Sequence, residues 1–323
     1  MKLPRREFLR LAMSASALPA IPRAANADVY PSRPVRLVVG LPPANSPDIV
    51  ARLFAQYLSE RLGQAFVVEN RPGAATNIGT DVVAHAAPDG YTLLLITAGN
   101  TVNETVFRHL NFDFLSDIAP VASIGGIPFV MVVTPSLPAA TVPEFIAYAK
   151  ANPGKIDMAS SGTGSMLDLL GALFELMAGV RFVHVPYRDS LFPDLLSGQA
   201  QVAFNPAPAV MGHIKSGRLR ALGVTTAGRI PVLPDVPALG EFLPGYDANG
   251  WLGIGAPKGT PAAAIDTLGN AVNAGLADPI LAAKLTDLGA VLKPMSPAAF
   301  GAFMVAETAK WAEVVKFADI KAE

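Results

Sequence analysis

Short apolar runs rich in β-branched and aromatic residues alternate with capped helix starts along nearly the whole chain, and this alternation restricts the fold to the α/β class. The runs fall at 35–40, 66–69, 92–96, 129–134, 182–185, 201–204, 221–224 and 252–256. Ser46-Pro47-Asp48 sets a capping serine, a first-turn proline and an acidic residue in the order that opens a helix. Thr141-Val142-Pro143-Glu144 reads as a capping box. A C-terminal helix is expected over 297–317, with Phe303, Trp311 and Val314 on its buried side. No fixed-period repeat, low-complexity tract or long linker is present, so two domains would be joined by elements running straight through. The segments 118–134 and 221–226 are the candidate crossing chains, which would form a hinge.

The N-terminus departs from this pattern. Arg5-Arg6-Glu7-Phe8-Leu9-Arg10 precedes an apolar stretch over 11–21 and then Ala25-Asn26-Ala27. This reads as a twin-arginine export signal cleaved after Ala27, with delivery to the periplasm. No later apolar run is long enough to span a bilayer. At 323 residues, 51% of them hydrophobic, the chain can build a large core, roughly two domains' worth. Its formal net charge of -1 becomes more negative once the arginine-rich segment is removed, which gives no reason to expect nucleic acid or insertion into a membrane. The absence of cysteine excludes disulfides and thiolate chemistry.

A search for catalytic residue sets finds none. His85, His109, His184 and His213 are scattered without ligand-type spacing or a nearby acidic pair, so each reads as an ordinary surface or core residue and no metal is expected. Ser161-Gly162-Thr163-Gly164-Ser165 is neither a nucleophile elbow nor a phosphate-binding loop. Nor does a dinucleotide fingerprint occur, so no cofactor is expected and an enzyme is the weakest reading.

What recurs is a strand end followed by small polar residues and a helix start: Ala44-Asn45-Ser46, then Thr97 to Asn100, then Gly162-Thr163-Gly164-Ser165. Such turns present unpaired backbone N–H groups and the positive end of a helix dipole, which suit a carboxylate. In open α/β sheets ligands sit at the carboxyl ends of strands, so these turns would converge on one cleft. The alternative stays open that each turn is only a capped helix start, with Ser46 and Ser165 satisfying their own helices.

Several stretches carry a family resemblance. Tyr30-Pro31-Ser32-Arg33-Pro34-Val35, Val68-Glu69-Asn70-Arg71-Pro72-Gly73-Ala74, Asn77-Ile78-Gly79, Ala87-Pro88-Asp89-Gly90-Tyr91, His184-Val185-Pro186-Tyr187-Arg188 and Leu233-Pro234-Asp235-Val236-Pro237 resemble the Bug-type substrate-binding proteins of tripartite tricarboxylate transporters. The resemblance implies a two-lobed periplasmic binding protein of the type II-like kind, each lobe a mainly parallel sheet flanked by helices. Lobe 1 would comprise 28–125 plus 228–323, and lobe 2 would comprise 126–227. It implies a monomeric receptor that captures a small organic acid (a mono-, di- or tricarboxylate, amino acid or aromatic acid) and delivers it to membrane permease subunits; docking on a membrane sensor kinase is the alternative.

The carry-over is uneven. The family's glycine-bearing turn after the first strand reads Ala44-Asn45-Ser46-Pro47 here. Asp168 stands where the family often has histidine; it would either stabilise its helix or face the cleft. Asn205 takes a place where aspartate is frequent, Tyr187 keeps the family aromatic, and Arg188 is the one cation placed near the cleft. The resemblance therefore implies a ligand site of Ala44, Asn45, Ser46, Thr97, Asn100, Gly162, Thr163, Gly164, Ser165, Asp168, Tyr187 and Asn205, with a ligand that differs from the commonest family acids.

Overall fold

A computed structural model describes residues 30–320 except 108, 188 and 189. The proposed export signal over 1–27 and Arg188 lie outside the described residues.

The chain builds two sheets. Strands β1 (Val35–Val39), β2 (Phe66–Asn70), β3 (Thr92–Thr97), β4 (Ile118–Ile127), β10 (Gly250–Pro257) and β11 (Val291–Leu292) form the first, in the order β11-β4-β10-β3-β1-β2. Strands β5 (Phe129–Val133), β6 (Asp157–Ser160), β7 (Val183–Pro186), β8 (Val202–Pro206) and β9 (Arg220–Val224) form the second, in the order β7-β6-β8-β5-β9. Helices on both faces explain why the strands read as apolar runs rather than alternations. In β1, for example, Leu37 and Val39 enter the core on one face while Val38 enters the core on the other.

In lobe 1, helices α1 (Ser46–Leu62), α9 (Ala262–Ala277) and α10 (Pro279–Asp287) cover one face through Phe54, Leu58, Leu268 and Leu285. The other face carries α2 (Asn77–Ala84), α3 (Ala98–Val106), α4 (Phe114–Asp117) and the first half of α11 (Pro297–Phe317). Lobe 2 is layered likewise, with α5 (Val142–Ala151) and α6 (Met166–Ala178) on one face, α7 (Phe192–Ser197) and α8 (Ala207–Lys215) on the other.

Both sheets are mixed rather than wholly parallel. β1 pairs in parallel with β2 and β3, and β6 with β7 and β8, as βαβ connections require. The antiparallel pairs come from the strands that serve the crossings, β4 with β10 and β5 with β8 and β9. The chain crosses from β4 to β5 through Pro128 and returns between β9 and β10, close to where the sequence places the hinge.

A third crossing was not legible. The first half of α11 buries Phe300 and Met304 in the lobe 1 core, while its second half buries Trp311, Val314 and Val315 in lobe 2. Between the halves, Glu307 accepts Nε1–H from both Trp251 of β10 (3.0 Å) and Trp311 (3.1 Å), and Lys310 donates to Glu307 and to the Asp247 carbonyl. A helix that contributes apolar residues to two cores shows them on more than one side, which blurs a single-stripe pattern.

Candidate functional site

Register places the parallel strands' carboxyl ends at the interlobe boundary. In lobe 1, Thr97 at the end of β3 lies opposite Leu252 near the start of β10, whose first residue pairs with Ile127 at the crossing. In lobe 2, Pro206 at the end of β8 pairs with Phe129, just past the same crossing. The ends of β1 and β3 therefore face those of β6 and β8 across the hinge, the position where open α/β sheets bind ligands.

The turn after β1 is held by a buried carboxylate. Asp48 accepts from the Ala44 N–H (2.8 Å), from Arg52 Nε (2.9 Å) and from Asn70 Nδ2 (2.8 Å). Burial pushes its pKa up, but the hydrogen bonds from Arg52, Ala44 and Asn70 outweigh burial and hold it below the usual carboxylate range. Ala44 takes φ +67, a left-handed conformation tolerated because its N–H is anchored. Asn45, rather than Ser46, is the N-cap: its Oδ1 accepts from the Asp48 N–H at 2.9 Å. The helix thus starts one position earlier than the serine cap implies, and the exposed Ser46 hydroxyl keeps no partner among the described residues. Replacing Asp48 with Ala removes the carboxylate that ties Arg52, Asn70 and the Ala44 N–H together, leaving that N–H unpaired, and is expected to lower stability by about 2 kcal/mol, read by thermal unfolding.

After β3, the side chain of Asn100 turns inward. Its Oδ1 accepts from the Thr97 N–H and hydroxyl, and its Nδ2 donates to Thr76 and Thr80. Its oxygen serves the capping box and its amide is spent on the two threonines, so Asn100 shapes this turn from within. Beside it runs a segment not singled out for binding from the sequence: Ala74, Ala75 and Thr76 have φ of +45, +51 and +82 in succession. Three left-handed residues without glycine store strain, which concentrates at functional sites. Asn103 holds the segment through the Ala75 carbonyl and Asn77 Oδ1, while the Nδ2 of Asn77 is buried with no hydrogen-bond partner. Asn77 was visible only as part of a family stretch.

In lobe 2, Gly162 and Gly164 take φ of +120 and +75, and Ser165 caps α6 through the Asp168 N–H. The exposed Thr163 hydroxyl makes no hydrogen bond among the described residues. Asp168 is buried, its Oδ2 accepting from the Gly164 N–H (2.9 Å) and its Oδ1 meeting His184 Nδ1 at 2.5 Å. His184 Nε2 meets Glu175 at 2.6 Å, and Glu175 also accepts from the Phe182 N–H. The sequence reading that no histidine has a nearby acidic pair is therefore corrected. Asp168 and Glu175 lie seven residues apart on α6, and β7 inserts His184 between them.

Burial lowers the His184 pKa, yet the hydrogen bonds and charges of the two carboxylates raise it to about 9, so the ring is an imidazolium at neutral pH. With both ring nitrogens facing carboxylates it has no lone pair for general base chemistry. Asp168 is turned inward too: the network fixes the 162–165 turn.

Tyr187 donates its hydroxyl to Asp194 at 2.7 Å, and burial with that hydrogen bond raises its pKa to about 12, so it stays neutral. Asn205, at the end of β8, is buried with its Nδ2 unpartnered. An orphaned amide donor therefore sits near the strand ends of each lobe, Asn77 in one and Asn205 in the other. Buried donors are normally paired, so each marks a place where a ligand or water completes the bonding. A cavity of about 270 Å³ lies elsewhere, behind the hinge strands. The strand ends are the better guide to the ligand, because two-lobed proteins complete their site by closing. Among the described residues, no group of three or more His, Asp or Glu side chains could hold a metal ion, and no helix is long and apolar enough to cross a membrane.

Two layered α/β lobes, crossed by strands and with parallel strand ends facing each other, define a solute-binding protein of the periplasmic type. A family model described as the tripartite tricarboxylate transporter family receptor matches residues 50–320. The chain belongs to that family. It is 36% identical over 296 residues to protein BugT of Bordetella pertussis, covering 90% of this chain and 91% of that protein. Among solved structures, a protein from R. palustris with adipate superposes at a TM-score of 0.74 with 36% identity, covering 90% of this chain and 99% of that one. MatC from Rhodopseudomonas palustris with bound malate superposes at 0.70 with 29% identity, covering 88% and 100%. The matched family is described as a receptor family, and the two solved neighbours are described with adipate and with bound malate.

Proposed function

We propose that this chain is exported by the twin-arginine route, cleaved after about Ala27, and works as a monomeric extracytoplasmic receptor for a small dicarboxylate. The site lies between a lobe of 28–125 plus 228–323 and a lobe of 126–227, and the closed form hands its ligand to the family's membrane permease subunits. One observation carries the reading: each lobe leaves a buried amide N–H donor without a partner, Asn77 Nδ2 and Asn205 Nδ2, near the facing strand ends. Two donors on opposite lobes suit a molecule with an acceptor at each end, and closure around it satisfies both. The solved relatives with adipate and malate support the same class. Asn45, Ser46 and Thr163 supply turn amides and hydroxyls and Ser165 its hydroxyl; Ala44, whose N–H is held by Asp48, with Gly162, Gly164, Thr97, Asn100, Asp168 and Tyr187, shapes the walls from behind.

A thermal-shift screen of the chain from Asp28 onward tests this. A dicarboxylate at about 100 times its dissociation constant adds about 2.7 kcal/mol to stability. A shift with C4 to C6 diacids, and none with the matching diamides, is the expected result; shifts only with sugars or amines would overturn it. Export is tested by fusing 1–35 to a reporter that only folded-protein export delivers: changing Arg5 and Arg6 to Lys should abolish delivery.

A further inference from the structure

The 270 Å³ cavity lies on the far side of the hinge from the proposed ligand cleft. It is bounded in lobe 1 by β4 and the edge strand β11, whereas the cleft strands β3 and β1 lie across β10. On its other side it meets residues 226–231, the start of the return crossing just beyond β9, the edge strand of lobe 2, whereas β6 and β8 lie across β5. No residue assigned to the cleft lines it. All three crossings do: Pro128 of the first, Ile230 and Asn249 of the second, and Phe303 and Glu307 of α11.

The walls are aromatic and aliphatic. Trp251 and Phe303 meet edge to face, with ring centroids 5.2 Å apart at 69°, and Pro128, Ile230 and Pro231 complete the apolar lining. Four charged residues reach the cavity: Arg229, Asp247, Lys293 and Glu307. Arg229 is taken by Glu241 through two hydrogen bonds, and Glu307 by Lys310 and two indole N–H groups. Asp247 accepts from the Ala227 N–H and from Asn249. Lys293 differs: its ammonium lies 5.0 Å from the Phe303 ring centroid and has no carboxylate partner among the described residues. A cation over one aromatic wall, at the rim of a space sized for a single ring, matches an anionic aromatic molecule.

The geometry points to a second binding site behind the hinge, taking a single-ring aromatic carboxylate with its ring between Trp251 and the prolines and its carboxylate on Lys293. A molecule there touches every connection between the lobes, so its binding is coupled to their rotation. Its lining residues are separate from those of the cleft, so the site exists whichever ligand the cleft takes.

Benzoate is the probe, and tryptophan fluorescence the readout, because the chain has two tryptophans and one of them, Trp251, lines the cavity. Titration of the chain from Asp28 onward should give a saturable change in emission. Lys293→Met, a change at an exposed position, should raise the dissociation constant at least ten-fold, benzamide should bind at least ten-fold more weakly than benzoate, and Asn205→Leu in the cleft should leave the constant within two-fold. No saturable change, equal binding by Lys293→Met, or loss of the signal in Asn205→Leu instead would overturn the proposal; the last result would put benzoate in the cleft.

Discussion

Replacing His184 with Ala is expected to cost about 3–5 kcal/mol of stability, the largest effect of any single change considered for this protein. The imidazolium is what lets α6 bury Asp168 and Glu175 on its β7-facing side. Without it two carboxylates remain in a largely dry site with only the Gly164 and Phe182 N–H groups to solvate them. At about 2–4 °C per kcal/mol for domains of this size, the melting temperature should fall by roughly 10 °C. The same network predicts a pH dependence. The folded-state pKa of His184 is raised, from 6.5 to about 9. Its contribution is therefore complete below about pH 6.5 and is lost as pH rises through about 9. At about 1.4 kcal/mol per pH unit, discounted because 30% of the side chain reaches solvent, roughly 2 kcal/mol should disappear across that window. Chemical unfolding at pH 6, 7.5 and 9.5 reads this directly. A His184→Ala variant that loses as much stability over that range as the natural chain would show that another group is titrating.

The second large effect concerns binding. Asn205→Leu replaces a buried amide whose Nδ2 donor lacks an acceptor with an apolar side chain of similar size. The ligand-free protein should be as stable as before or slightly more so, since an unpaired buried donor costs about 1–3 kcal/mol. Dicarboxylate affinity should fall by about ten- to a hundred-fold, because the hydrogen bond that closure supplies is gone. The opposed signs make this diagnostic: a structural amide would lower stability when removed and leave affinity nearly untouched. Calorimetric titration and unfolding of the same preparation separate the two. Asn77→Leu is less clean, because Asn77 Oδ1 also holds Asn103 and through it the strained 74–76 segment.

The sequence exposed the lobes better than the site. Strands such as β1 and β3 are buried on both faces, so their apolar runs are unambiguous. β4 was harder to read as a strand, because Pro120 and the Gly125-Gly126 pair interrupt its apolar run and its pairing with β10 carries two register shifts. The turns were located correctly, but which side chains face inward was not legible. Asn100 looked like a ligand donor, yet Thr76 and Thr80, 24 and 20 residues earlier, claim its amide. His184 looked solitary because Asp168 lies sixteen residues before it and Glu175 nine, a proximity that only the packing of α6 on its sheet creates. The orphaned donors are products of folding too: an asparagine reveals nothing in sequence about whether its amide will find a partner.

Calorimetric titration of the chain from Asp28 onward with adipate and malate, paired with small-angle scattering before and after saturation, tests the receptor reading most directly. One-to-one binding of a diacid, with a reduced radius of gyration in the bound state and neither effect from the corresponding diamide, is expected of two lobes that close on two carboxylates. A folded protein that binds no diacid, or binds one without any change in its dimensions, would contradict it.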